Sequence, residues 1–454
     1  MNNSVEYLRK FFEPSSVALV GASDNPLKPQ FYLVKNLLDS GYPGRVYPVN
    51  PRLQEFMGQK VYPDVTSLPG PVDVAMIVVP SQAVPQTVAE CGRKGVKAVI
   101  IGGGGFSEKG PAGQALMDET IAAARRYGLR FMGPNSIGAT NPRMKFTTAF
   151  IDSPLPRPGP ISFITQTGLV GGPLLHWINS IAKTACLGNR VDIDADEVLS
   201  YLAEDPETKV IGVHSEGFNH PARFVQAVTN CRRAGKPVVL LTAGNSAQGA
   251  KIASSHTGSM GADHSMLLAA ARQAGAINVD DLDDFFLTIK VTAEGLQVKP
   301  SFKLAVVSVS GAVLVMAGDV CAKLGLDIAP AQGPGTCVPG QALYDVGSWS
   351  GDIRFGELIY ETTRQALSQA AVTHCLVYLA PTPRLFHLDP QPIFTRLRDE
   401  FPGKAILPCI FGHRRISAEW SQVLENIGLP CHSSLDRIFE ALARHQAWLK
   451  RNIP

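Results

Sequence analysis

Short apolar, β-branched runs alternate along the chain with amphipathic stretches, separated by turns rich in Gly, Pro and Ser. In the first third, Val17–Val20, Val46–Pro48, Val74–Val79, Ala98–Ile101 and Arg130–Met132 predict strands. Between them Phe31–Ser40, Val84–Gly92 and Gly113–Tyr127 predict helices. Continuous apolar strands alternating with helices indicate parallel sheets covered on both faces. The Pro-rich stretch Ser153–Pro160 breaks the rhythm and reads as a linker. The pattern restarts with strands at Ile161–Thr165, Val210–His214 and Val238–Thr242, and helices at Leu169–Ile181, Pro221–Ala234 and Asp263–Ala274. A polar segment, Gln297–Ser301, precedes a third restart. There Leu304–Val309, Cys375–Leu379 and Ala405–Ile410 predict strands, and Ala312–Leu324, Phe355–Gln369, Pro392–Phe401 and Ser434–Arg451 predict helices. The expected fold class is α/β, with three doubly wound parallel-sheet modules at residues 1–150, 158–296 and 301–454. A chain of 454 residues at about 150 per domain gives the same count.

Composition narrows the class. Hydrophobic residues at 45% and charged residues at 18% fit a well-buried globular chain and argue against disorder. A net charge of +3 without basic blocks points to neither nucleic acid nor an anionic membrane as partner. The apolar stretch Leu304–Gly318 is shorter than the roughly 20 residues a membrane helix needs. The first residues, with Glu6, Arg9, Lys10 and Glu13, lack the apolar core of a secretory signal, so a cytoplasmic protein is expected. The eight cysteines show no C-x-x-C pair or zinc-ligand spacing; they read as reduced and structural, with no metal site among them.

In open parallel sheets ligands bind beyond the carboxyl ends of the strands. That rule singles out the turn Gly21-Ala22-Ser23, where a glycine allows backbone to approach a phosphate, Ser23 can donate and Lys28 can add a charge. The G-x-G-x-x-G dinucleotide fingerprint is absent. Asn50, Pro80-Ser81, Gly102–Phe106 and Gly133–Gly138 follow the next four strands and predict a long groove suited to a nucleotide with an extended arm. In the second module, Gln166-Thr167-Gly168 follow a strand and open a helix, a candidate anion site. The segment 243–261 is dense in Gly, Ala and Ser around one reactive side chain, His256. A neutral imidazole is a competent nucleophile at pH 7, and small neighbours leave room for a phosphate at its ring.

Six motifs in this order resemble a known family: Gly-Ala-Ser-x-x-Pro (21–26), Val-Tyr-Pro-Val-Asn-Pro (46–51), Gly-Pro-Asn-Ser-x-Gly (133–138), Gln-Thr-Gly (166–168), Leu-Gly-Asn (187–189) and Ser-Ser-His-Thr-Gly-Ser (254–259). They are similar to the α subunit of NDP-forming acyl-CoA synthetases, the ADP-forming acetate–CoA ligases related to succinyl-CoA synthetase. The resemblance covers roughly residues 10–290. It implies a Rossmann-like CoA-binding domain followed by two flavodoxin-like domains. Gly21, Ala22, Ser23, Lys28, Asn50 and Pro80 would line CoA, with Asn135 and Ser136 near the thiol and acyl phosphate. His256 matches the phosphorylated histidine, Glu216 the carboxylate that orients it, and Gln166, Thr167, Gly168, Ser255, Thr257 and Gly258 the phosphate-binding groups. It further implies a small carboxylic acid substrate, ATP/ADP with Mg2+ held mainly by an ATP-grasp β subunit, and an α2β2 assembly.

The last third departs from the family pattern at Ser308–Ala312 and near Tyr344–Trp349, and the first turn departs at Lys28–Gln30. The acid substrate is therefore not read from these residues. Two other readings follow from the same segments. A non-catalytic CoA-binding sensor or scaffold is disfavoured by the intact histidine motif. An NAD(P)-dependent oxidoreductase is disfavoured by the missing fingerprint and by Asn50 standing where an acidic ribose partner belongs.

Overall fold

The computed structural model describes residues 7–168, 177–244, 246, 248–249, 264–296, 298, 301–331, 336–346, 354–381 and 388–452. The chain divides into two compact units, residues 1–280 and 281–454. The first unit opens with α1 (Arg9–Phe12), β1 (Ser16–Val20), α2 (Pro29–Asp39), β2 (Arg45–Val49) and a small hairpin of β3 (Glu55–Phe56) and β4 (Gln59–Lys60). It continues through β5 (Val74–Ile77), α3 (Val84–Lys94), β6 (Ala98–Ile101), α4 (Pro111–Tyr127) and β7 (Arg130–Met132). These strands form a five-stranded parallel sheet ordered β2-β1-β5-β6-β7. Every residue of β1 is buried and successive side chains enter opposite cores, as in a strand covered on both faces. Val17 and Leu19 enter the core with Leu33, Val34 and Leu37 of α2. Ala18 and Val20 enter the opposite core with Val84, Val88 and Met117.

The chain next forms β8 (Gly138–Asn141), β9 (Phe146–Thr147), β10 (Arg157–Thr165), β11 (Ser180–Cys186), α5 (Ala195–Glu204), β12 (Val210–Ser215), α6 (Pro221–Arg233), β13 (Val238–Thr242), α7 (His264–Ala274) and β14 (Ala276–Val279). The second sheet is ordered β14-β13-β12-β10-β11-β8-β9; its first five strands are parallel, and β8 and β9 extend it antiparallel. Segment 138–147, which follows the first module's last strand, is thereby hydrogen-bonded into the second module's sheet. Across the same junction Arg130 pairs with Asp192 (Nε–Oδ1 2.9 Å) and Glu197, and lies over the Tyr7 ring, whose hydroxyl donates to Glu197. Phe12 stacks on Tyr201 with centroids 5.0 Å apart.

Two expectations change here. Part of the predicted linker is strand: Arg157 and Pro158 pair with Ser180 and Ile181. The prolines are tolerated because pairing to β12 begins only at Ile161, so the missing N–H groups are not needed on that side. The predicted helix 169–181 overran: residues 169–176 lie outside the described residues, and Ser180–Cys186 is strand β11. A lysine in its middle disguises it as a half-exposed segment. Lys183 is in fact buried, held by Asp205 at 2.9 Å and Glu207 at 3.1 Å.

The second unit contains α8 (Leu282–Gly295), β15 (Leu304–Ser308), α9 (Gly311–Leu324), β16 (Leu343–Asp345), α10 (Phe355–Ser368), β17 (His374–Leu379), α11 (Pro390–Glu400), β18 (Ala405–Ile410), α12 (Arg414–Asn426) and α13 (Leu435–Asn452). Its parallel sheet is ordered β16-β15-β17-β18. Helix α8, within the segment 158–296 of the sequence reading, packs here: Arg444 and Arg437 of α13 reach Asp284 at 2.6 and 3.1 Å, and Lys290 reaches Glu425 at 2.6 Å. All eight cysteines are free; seven are buried and Cys337 is exposed.

Two histidines and a glutamate lie buried in the core of this unit. His445 is fully buried, with neither ring nitrogen hydrogen-bonded among the described residues, and burial lowers it to about 4. His374, 5.3 Å away ring to ring, is likewise lowered by burial and then by His445. Glu294 is raised to about 7 by burial, only partly offset by the Ile406 amide and Arg398. The signs oppose. A depressed histidine contributes stability above its unfolded value near 6.5 that is lost as pH falls through the folded value. The raised carboxyl contributes stability at low pH that is lost as pH rises through 7. Two histidines outweigh one carboxyl, so acidification from 6.5 towards 4 should lower the melting temperature of this unit. His445→Leu should flatten that dependence by about one proton, read from the pH series of melts of both proteins.

Candidate functional site

The first sheet changes winding direction between β1 and β5, and a ligand crevice is expected there. Gly21 sits at that point with φ +97°, its amide donating to the Val49 carbonyl (2.9 Å), and a Cβ would overlap the Val78 carbonyl. The turn therefore approaches β5 as only glycine can. Ala22 is buried, and Asn50 Nδ2 donates to its carbonyl at 2.7 Å, so Asn50 braces the turn. Ser23 Oγ accepts from the Asn25 amide (3.2 Å), and Lys28 stands exposed just before α2, whose first residue is Pro29. Pro80 follows β5 and Gly102–Gly105 follows β6. All of these lie beyond the carboxyl ends of one sheet.

Glu108 escaped the sequence reading. Its carboxylate accepts from the Gly105 amide at 2.6 Å. Burial would raise its pKa, but the amides of Gly105, Glu108 and Phe106 and the Asn135 side chain outweigh that and hold it low. Asn135 is exposed, with a left-handed φ of +59°, and its Nδ2 donates to Asn189 Oδ1 at 3.1 Å. Ser136 is fully buried; its hydroxyl donates to the Cys186 carbonyl (2.5 Å) and accepts from the Gly138 amide (2.9 Å). Its side chain is thus engaged in holding the loop, and the exposed group of the pair is Asn135.

The second sheet's winding reverses between β10 and β12. Gln166, at the end of β10, spans that point: its Oε1 accepts from the Glu216 amide at 2.8 Å and lies 3.1 Å from Ser215 Oγ. Gln166 is 5% exposed, and its Nε2 makes no hydrogen bond among the described residues. A buried amide donor left over at a strand end, beside Thr167 and Gly168, suits an anion. Glu216 itself follows β12 next to His214, whose imidazole burial keeps neutral against the opposing pull of Glu216. The Ala243 amide donates to the Ser215 carbonyl at 3.1 Å, so the chain sets out towards segment 250–263 from beside this loop. Ser255, His256, Thr257 and Gly258 lie outside the described residues.

The two strand-end regions are joined by one loop, 187–191. A Cβ on Gly188 (φ +56°) would overlap the Pro134 carbonyl, to which the Asn189 amide donates at 2.9 Å. Arg190, also left-handed at φ +53°, is buried and donates from Nη1 to the Gly217 carbonyl (2.6 Å) and to Asp194 (3.3 Å). The motif Leu187-Gly-Asn189 pointed at this loop, but Arg190 beside it was not among the predicted site residues. Among the described residues no group of three His, Cys, Asp or Glu side chains could hold a metal, and no helix is long and apolar enough to cross a membrane.

The first sheet thus offers a crevice at its switch point, and the second a switch point with a spare buried amide donor. In agreement, residues 15–142 match a CoA binding domain and residues 158–292 a succinyl-CoA ligase like flavodoxin domain. The chain is 30% identical to the acetate–CoA ligase [ADP-forming] II subunit alpha of Pyrococcus furiosus, over 93% of each chain. It is 31% identical to acetate–CoA ligase [ADP-forming] II of Archaeoglobus fulgidus, over 98% of this chain and 68% of that protein. Among solved structures, an acetyl-coenzyme A synthetase 1 of Ca. Korarchaeum cryptofilum in complex with phosphate and ADP superposes with a TM-score of 0.84 at 26% identity, over 98% of this chain and 99% of that one. The chain belongs to the ADP-forming acetate–CoA ligase family, acid–thiol ligases that make acyl-CoA from a carboxylic acid, CoA and ATP.

Proposed function

We propose that this chain is the α subunit of an ADP-forming acyl-CoA synthetase, carrying the CoA groove and the histidine that shuttles phosphate. The observation that carries this is the junction just described: Gln166 and Glu216 at one switch point, tied through Leu187–Arg190 to the Asn135 loop at the end of the other crevice. In this reading His256 takes the γ-phosphoryl group of ATP, releasing ADP. The phosphoryl group passes to a small carboxylic acid, restoring the imidazole and giving an acyl phosphate. The CoA thiolate then attacks the acyl carbon, phosphate leaves, and the thioester forms. Each step is reversible.

Gly21, Ala22, Ser23, Lys28, Asn50 and Pro80 hold CoA in this scheme, with Asn135 at the thiol end. Gln166 Nε2 and the amides of Thr167 and Gly168 receive the phosphoryl group, helped by Ser255, Thr257 and Gly258. Glu216 accepts a hydrogen bond from one ring nitrogen of His256, which leaves the other nucleophilic and stabilises the cationic phosphohistidine. ATP and Mg2+ belong to an ATP-grasp β subunit, in an α2β2 assembly working in the cytoplasm. The Archaeoglobus relative, longer than this chain, and the Pyrococcus one, named a subunit, support that division of labour.

Two measurements test the reading. CoA should raise the melting temperature of the isolated chain and NADH should not. With the β subunit, Mg-ATP, CoA and a panel of short carboxylates, the complex should form ADP, phosphate and the corresponding acyl-CoA in equal amounts. Stabilisation by NADH alone, or AMP in place of ADP, overturns it.

A further inference from the structure

The buried Arg190 side chain joins loop 187–191 to the Glu216–Asn219 loop, yet no step above uses it. Its guanidinium is buried and donates to the Gly217 carbonyl at 2.6 Å, one residue beyond Glu216. Its own carbonyl accepts from Asn219 Nδ2 at 2.9 Å, and Asp194 receives both Arg190 Nη1 (3.3 Å) and the Asn219 amide (3.1 Å). The Glu216–Asn219 loop is therefore stitched to Arg190 twice directly and once through Asp194. On the other side, the preceding residue, Asn189, is tied to the first module through the Pro134 carbonyl and Asn135 Nδ2. A left-handed backbone at Arg190, unfavourable for a non-glycine residue, turns the side chain inward from the same loop that faces Asn135.

We infer that Arg190 is a positioning residue that sets Glu216 in register with the Asn135 loop. It thereby aligns the carboxylate behind the histidine with the end of the CoA groove. This rests on the proposed role of Glu216. A side chain that orients a reacting group through one intermediate contact is typically worth 10- to 100-fold in rate. Asp194 does not depend on Arg190 for its partners, because it caps α5 through the Ala195 amide at 2.7 Å and holds Asn219. Removing the guanidinium should therefore loosen the loop without unfolding the module.

The test uses the full chain with its β subunit, as wild type, Arg190→Met and Arg190→Lys. Arg190→Met should lower kcat about 10- to 100-fold with the KM for CoA nearly unchanged. It should shift the acid limb of the pH–rate profile for phosphoryl uptake, since Glu216 no longer meets the imidazole squarely. Arg190→Lys should recover part of the rate, a point charge replacing a fork. Hydrogen exchange of the Glu216 and Gly217 amides should speed up at least tenfold in Arg190→Met, with α6 unchanged. Wild-type kcat, pH profile and exchange in Arg190→Met overturn the inference, as does a loss of rate that merely tracks a lost folded fraction. A wild-type complex that takes up no phosphoryl group overturns the functional reading instead, while the exchange data still decide whether Arg190 holds the loop.

Discussion

The His256→Asn chain, mixed with the β subunit and Mg-ATP, should take up no phosphoryl group, where the wild type acquires one that is labile in acid and stable in alkali. Overall acyl-CoA formation should fall by about four orders of magnitude or more, the scale of losing an obligatory nucleophile. Asparagine keeps a hydrogen-bonding group in place of the ring, so the melting temperature and the CoA-induced shift should both persist. The described groups at the second sheet's switch point offer no substitute for the ring nitrogen. Glu216 and Gln166 stand at the switch point of the second sheet, and the chain leaves β13 towards His256 from beside them. A carboxylate and an amide can orient and receive a phosphoryl group, but neither replaces the attacking nitrogen. Acid-labile, alkali-stable label in the mutant would show that another histidine carries the phosphoryl group.

Gly188→Ala should be nearly as damaging, for a steric reason. A left-handed φ of +56° costs alanine only about 1 kcal/mol by itself. The larger cost is that the new methyl would occupy the space of the Pro134 carbonyl oxygen, backbone that cannot swing aside as a side chain can. Either loop 133–136 or loop 187–190 must move, breaking the Asn189 amide bond to Pro134 and the Asn135–Asn189 contact. Overpacking of this kind costs roughly 1–3 kcal/mol. The displacement should lower kcat by about 100-fold, since misplacement of about 1 Å can do so. Gly58→Ala is the control: Gly58 has φ +73° but open space around it, so only the backbone penalty applies. Similar melting and kinetics for the two variants would refute the steric account.

The first sheet was legible because its strands are short, largely apolar runs set off by turns, and Ala98–Ile101 and Arg130–Met132 were placed to the residue. Strand β11 was not, because its burial depends on Lys183 meeting Asp205 and Glu207, partners more than 20 residues away. Helix α8 was missed although Asp281 caps it by accepting from the Asp284 amide. Its nearly unbroken burial erases the amphipathic stripe on which helix reading depends. For the site, Gln166 was suggested by its place after a strand, whereas Glu216 came from the family resemblance, although it too follows a strand. Glu108 is held by the Gly105 amide and the Asn135 side chain, and Arg190 reaches the Gly217 carbonyl 27 residues on, contacts that no sequence motif records. The motif around His256 remains a sequence argument.

The pairing of β8 with β11 has a mechanical meaning. The crevice of the first module and the switch point of the second are fastened by a shared sheet, by Arg130 with its two carboxylates and by loop 187–191. Sliding one against the other would break several hydrogen bonds together, so this part of the protein works as a fixed jig. In the proposed mechanism, the travel between phosphorylation and thioester formation therefore cannot come from a shift of one crevice against the other.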